Sequence, residues 1–207
     1  MKNLDMAYKK VLEYCANLWY SLIRIQGSSG VKFMKILKKS RISGILDAKE
    51  LGAYIVHKYK TENGVEISKI KLQKSLYFLF AMWGGMIRKS KNNPEYVEED
   101  FSAQNEYLFS NDIEAWVYGP VVPDVYRLSN LTKYYEDATT KIEANHFLKE
   151  TINSILDDIF AIADFKLVSI SHEDKCWQES FNPSDKVHNS VIDKDLIIEE
   201  YATRECI

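Results

Sequence analysis

Apolar residues along this chain recur at steps of three and four, the spacing that lines one face of an α-helix. Val11, Tyr14, Leu18, Leu22 and Ile25 set such a face over residues 6–25. Gly27-Ser28-Ser29-Gly30 then breaks it, because two glycines and two serines within four residues favour a turn or joint over continued helix. Residues 31–42 interleave Lys32, Lys35, Lys38, Lys39 and Arg41 with Phe33, Met34, Ile36 and Leu37. This basic amphipathic run fits a surface helix or strand.

Two further helix starts are written into local chemistry. Asp47 has Glu50 three residues on, and Leu46 and Leu51 flank it, so a reciprocal capping box with a hydrophobic staple starts a helix at 47. Ser68, between Ile67 and Leu72, offers the same cap without its acidic partner, since Lys71 stands where Glu would. The helix it opens is predicted over 68–88. Leu72, Leu76, Leu79 and Trp83 mark one face, and Tyr77, Phe78 and Phe80 make it apolar nearly all round, as a helix enclosed by neighbours must be. Residues 90–114 turn polar and acidic, which predicts a loop with or without short strands. Leu148, Ile152, Ile155, Ile159 and Ile162 predict a long helix over 143–163, and a last one is predicted over 193–201. The fold class that follows is mainly α: a compact helical domain around a central apolar helix, with possible short strands, over 46–207. Residues 1–45 form an amphipathic and basic N-terminal extension.

Composition narrows this picture. With 207 residues and 46% apolar content the chain can bury one substantial core, which fits one domain and an appendage better than two domains. The longest stretches without a charge, 14–23 and 75–87, fall short of the roughly 18 residues a membrane-spanning helix needs. Lysines precede the first apolar run, but Asp5 and Glu13 interrupt it, so no secretory signal is read there and the cytoplasm is the expected compartment. Cys15, Cys176 and Cys206 are odd in number and far apart, a poor framework for disulfides or zinc. The net charge of −3 conceals an asymmetry. Residues 1–41 hold nine Lys or Arg against two acids, and the rest hold 18 against 28. An acidic domain repels phosphates and suits a basic protein partner, which argues against nucleic acid as the ligand.

Three segments carry residue types that could do something. In 116–123, Pro120 and Pro123 bias the residues before them away from helical angles, and Pro123 suits a first helical turn, so a stiff extended segment feeds a helix near Asp124. Trp116, Tyr118 and Tyr126 could dock a partner from that frame, or Trp116 and Tyr118 could plug the core, where such aromatics most often lie. Lys69, Lys71, Gln73 and Lys74 could line a partner surface, although a solvated helix end is the simpler reading. His172, Glu173, Asp174 and Cys176 have ligand and acid/base chemistry, but only two of them are typical zinc ligands, and the second histidine of a zinc-protease motif is missing. A helix end in which His172 makes a buried hydrogen bond and Trp177 joins the core is preferred to metal or nucleophile. Phosphate loops, nucleophile elbows and paired-histidine motifs are absent, so neither enzyme nor cofactor is expected.

Four ordered blocks, 47–56, 67–78, 116–126 and 167–177, together resemble the Panacea domain, a phage- and antitoxin-associated family that includes SocA-like proteins. Lys71-Leu72-Gln73-Lys74 followed by Leu76-Tyr77-Phe78, the Trp116–Tyr126 string with Gly119, Pro120 and Pro123, and the pair His172 with Trp177 carry the likeness over about residues 47–201. Ser75-Leu76 departs mildly from the family's leucine pair, and residues 1–45 have no counterpart in the minimal domain. The resemblance implies a mostly helical protein that neutralises a toxin encoded by an adjacent gene, by direct binding or by delivery to a host protease. Trp19, Tyr20 and Phe33 of the extension, with Lys71, Gln73, Lys74, Trp116, Tyr118 and Tyr126, are the candidate partner-binding residues. A phage regulator that binds nucleic acid through residues 31–41, or a host protein, is the alternative.

Overall fold

The computed structural model describes residues 44–92, 104–184 and 190–204. Among them are eight helices and one two-stranded sheet: α1 (Ala48–Asn63), α2 (Lys69–Asn92), β1 (Glu114–Trp116), β2 (Gly119–Val121), α3 (Pro123–Tyr126), α4 (Tyr135–Glu143), α5 (His146–Ala161), α6 (Asp164–His172), α7 (Lys175–Ser180) and α8 (Lys194–Thr203). The protein is mainly α. A 3₁₀ turn, Thr132–Tyr134, leads into α4.

The helix starts obey their local chemistry. Asp47 accepts the Lys49 N–H at 2.8 Å while Glu50 accepts the Asp47 N–H at 3.0 Å, completing the capping box. Ser68 Oγ accepts from Lys71 N at 2.9 Å, so it caps α2 as its position predicts. The helix predicted over 143–163 is α5, His146–Ala161, which starts three residues later than the periodicity placed it. Asn145 accepts from Leu148 N at 3.0 Å and caps α5 afresh, and α4 ends at Glu143 before it. Periodicity alone could not fix this start, because the cap is a single polar residue inside an otherwise acceptable helical pattern.

Helix α2 is the centre of the domain. Leu76, Tyr77, Leu79, Phe80, Trp83 and Ile87 are fully enclosed along it. It packs against α1, α5, α6, α8 and β2. The closest approach is to α8, across Gly84 and Gly85. A Cβ on Gly84 would stand 2.5 Å from Ile198 Cγ1, and one on Gly85 would stand 2.6 Å from Tyr201 Cβ and 2.8 Å from the Tyr201 carbonyl carbon. Two glycines inside a 24-residue helix cost local stability, which the apolar burial of Ile197 and Ile198 on α8 offsets.

The sheet is a tight hairpin. β1 and β2 are antiparallel with Glu114 opposite Val121, Ala115 opposite Pro120 and Trp116 opposite Gly119, leaving Val117 and Tyr118 as the two-residue turn. Chain 190–192 continues it on the other side: Ala115 N donates to Ser190 O and Ile192 N to Ile113 O. The hairpin therefore connects the centre of the chain to the lead-in of α8.

Because the Gly85 contact is with backbone atoms of α8 that cannot swing away, Gly85→Ala is expected to destabilise the fold by about 1–3 kcal/mol despite its better helix propensity. Thermal denaturation followed by circular dichroism tests this; an unchanged or raised Tm would mean that α8 shifts without loss.

Candidate functional site

Lys71, Gln73 and Lys74, on the first turns of α2, are buried, contrary to the solvated helix end expected there. Their polar ends all reach groups on other elements, mostly backbone. Lys71 Nζ donates to the Phe160 carbonyl at 3.4 Å and to the Ile162 carbonyl, and pairs with Asp164 Oδ1 at 3.3 Å. It thus satisfies carbonyls that the end of α5 leaves open. Gln73 Oε1 accepts from Val122 N at 2.8 Å, and Lys74 Nζ donates to Pro120 O at 2.8 Å. Lys69 alone keeps to the surface, with its ammonium 5.0 Å above the Tyr126 ring.

The proline segment explains why α2 must reach so far. Pro120 pairs with Ala115 at a position whose backbone groups point away from β1, so the Pro120 carbonyl and the Val122 N–H on the outer edge of β2 find no partner in the hairpin, and an enclosed carbonyl without a donor is costly. Gln73 and Lys74 supply the missing partners from beneath. Gly119 takes φ +87°, a left-handed value, and a Cβ there would collide with Ser171 Oγ and stand 2.7 Å from Lys74 Nζ. The residue closing the hairpin turn is therefore confined to glycine by both angle and space.

Above this platform sits an aromatic surface. Trp116 is half-buried, meets the Tyr126 ring edge-on at 4.8 Å and donates from Nε1 to Glu114 Oε2 at 2.8 Å. Its carbonyl accepts from Trp177 Nε1 at 3.1 Å. Tyr118 is 59% exposed and Val117 55%, so Tyr118 does not plug the core; a two-residue turn points its side chains outward. Tyr126, 37% exposed, completes the surface.

On the far side, His172 stacks on Trp177 at 4.0 Å and Trp177 on Phe181 at 4.8 Å. Burial, and then the nearby Lys74 cation, pull the His172 imidazole below its ordinary value; a hydrogen bond to the Val117 backbone opposes them. His172 Nε2 is enclosed without a partner, so only part of the expected buried hydrogen bonding is made. Burial pushes the Cys176 thiol up to about 12, which keeps it protonated at neutral pH. Among the described residues no three His, Cys, Asp or Glu side chains converge as metal ligands.

Asp174 is the functional-looking residue whose role the sequence concealed. It is fully enclosed and accepts from Tyr77 Oη, from Tyr201 Oη at 3.0 Å and from Arg204 Nη2 at 2.7 Å. Burial raises its carboxyl, and the Arg204 guanidinium works against that shift. Glu200 accepts the Lys175 and Cys176 N–H groups and pairs with Arg204. The cluster ties α2, α7 and α8 together, and its partners lie 97, 27 and 30 residues from Asp174, a separation that no local pattern reports.

Trp116 and Tyr126 thus meet at the surface, Tyr118 projects from the turn, Lys71, Gln73 and Lys74 are buried, and Trp19, Tyr20 and Phe33 fall outside the described residues. Residues 98–178 match the family model for the antitoxin SocA-like, Panacea domain. The matched segment contains the whole hairpin, α3 to α6 and the His172–Trp177 stack, while the 71–78 string on α2 lies before it. No curated protein and no solved structure matches the chain.

Burial pulls Lys74 down to about 7 against its ordinary 10.5, with Asp174 opposing. An unfolded chain then binds a proton that the folded one does not between those values, so stability rises with pH across that window. Cys176 begins to act in the opposite direction only above pH 9. Wild type is expected to gain stability from pH 7 to pH 9 in urea titrations, and Lys74→Met is expected to abolish most of that gain. An equal slope in both proteins would mean that Lys74 is charged in the folded state.

Proposed function

We propose that this protein is an antitoxin that neutralises a cognate protein toxin by direct binding in the cytoplasm. The match of residues 98–178 to an antitoxin domain carries the reading. Its geometry supports it: the exposed turn residues Val117 and Tyr118 stand on backbone held by Gln73 and Lys74 of α2 and by Trp177. Rigid aromatic anchors are the usual sources of affinity, because they bury a large area while few rotors are frozen.

An inhibitory interface needs roughly 1,200–2,000 Å² of total buried surface, more than a two-residue turn supplies. The basic N-terminal extension, with Trp19, Tyr20 and Phe33, contributes to toxin contact in this reading. Neutralisation proceeds by steric block or by handing the toxin to a host protease.

Expression of each neighbouring open reading frame in a bacterial host, with and without this protein, tests the proposal. Growth arrest by one neighbour and rescue on co-expression is the expected result; rescue from neither would overturn it, and steeply salt-dependent DNA binding would favour a regulatory role instead.

Removal of residues 1–45 is expected to leave a folded domain that no longer rescues. Full rescue by the shortened protein would exclude the extension from the interface.

A further inference from the structure

We infer that His172 and Lys74 make the hairpin turn an acid-sensitive latch: the neutral imidazole holds the turn against the end of α6, and its protonation releases it. The latch is independent of the antitoxin reading. The two residues grip one short stretch of backbone at two points. Lys74 Nζ, from α2, donates to the Pro120 carbonyl at 2.8 Å, and the His172 imidazole, at the last residue of α6, bonds the Val117 backbone. Gly119 lies between those points, and a Cβ there would collide with the hydroxyl of Ser171, the residue before His172, and stand 2.7 Å from Lys74 Nζ. The lysine ammonium and the end of α6 therefore converge on the same residue of the hairpin.

The imidazole can hold the turn only while it is neutral. Its Nε2 is enclosed without a partner, so a second ring proton would be a charged donor with no acceptor, the costly case for a buried polar group. The elements packed around the ring do not relieve this. Helix α2 presents the Lys74 ammonium, a like charge; the hairpin presents the Val117 backbone, already bonded; α7 presents the Trp177 ring, stacked at 4.0 Å. Asp174 is taken by Tyr77, Tyr201 and Arg204, its charge acts on Lys74, and Glu173 is exposed. The Trp177 face and the C-terminus of α6 attract a cation, but Nε2 reaches no acceptor on either. Burial and the Lys74 charge hold the ring below its ordinary 6.5. As pH falls, Lys74 takes its proton first, near 7, and that charge then holds off the proton on His172. Because the folded ring binds its proton at lower pH than the unfolded chain does, the share of stability that His172 contributes is complete above 6.5 and is lost as pH falls below it.

Hydrogen exchange of the full chain, corrected for its intrinsic pH dependence, reads the latch at the amides of residues 116–122. In wild type their opening is expected to rise about tenfold or more between pH 7 and about pH 5, while the enclosed stretch of α2 from Leu76 to Trp83 stays protected. His172→Phe keeps a flat ring against Trp177 but cannot titrate, and is expected to lose that acid response. Titration of the His172 ring by NMR gives a second reading that needs no variant of His172. Its midpoint is expected below 6.5 in wild type and closer to 6.5 in Lys74→Met. An equal acid response in wild type and a folded His172→Phe, a wild-type midpoint at or above 6.5, or a midpoint that Lys74→Met leaves unmoved would each overturn the latch. Acid opening of α2 to the same degree as the hairpin would be global unfolding and would overturn it as well.

Discussion

The arrangement depends on one constraint: among the described residues, the outer edge of β2 has no strand beside it to take its backbone groups. The Pro120 carbonyl and the Val122 N–H point away from β1, so β2 borrows a donor and an acceptor from Lys74 and Gln73 of the helix below. Burying a lysine to that depth is unfavourable enough to move its ionisation close to neutrality. The fold accepts the cost because the alternative, an enclosed carbonyl with no partner, is also costly and would release the hairpin. Gly119 follows from the same arrangement, since the space its side chain would fill is already taken by the lysine ammonium and the Ser171 hydroxyl.

Helix α2 can serve this purpose because it is clamped along its length. Near its start Lys71 closes the end of α5; in its middle Tyr77 meets Asp174; farther on, two glycines admit α8 to near-backbone contact. Asp174 then draws Tyr201 and Arg204 of the last helical region to the same point. A buried carboxylate with three donors is stabilised only while all three remain in place, so this clasp makes the folding of α7 and α8 conditional on α2.

What could be read from the sequence divides by distance along the chain. The capping box at Asp47 and Glu50, the cap at Ser68 and the apolar girdle of α2 were legible because each is settled within a turn or two of helix. The inward reach of Gln73 and Lys74 was not, since their partners lie 49 and 46 residues away and a polar helix start ordinarily faces water. Tyr118 misleads in the opposite direction: its aromatic character suggests burial, and only the two-residue turn decides that it faces out.

The hairpin turn is supported through its flanks and through the His172 hydrogen bond to the Val117 backbone. Trp116 gives its carbonyl to Trp177, and Pro120 and Val122 bond to α2, while the side chains of positions 117 and 118 project away. Those two positions can accept mutation almost freely with respect to folding. A lineage could exchange one target for another by changing the turn alone, so stability and choice of partner would drift independently in this protein.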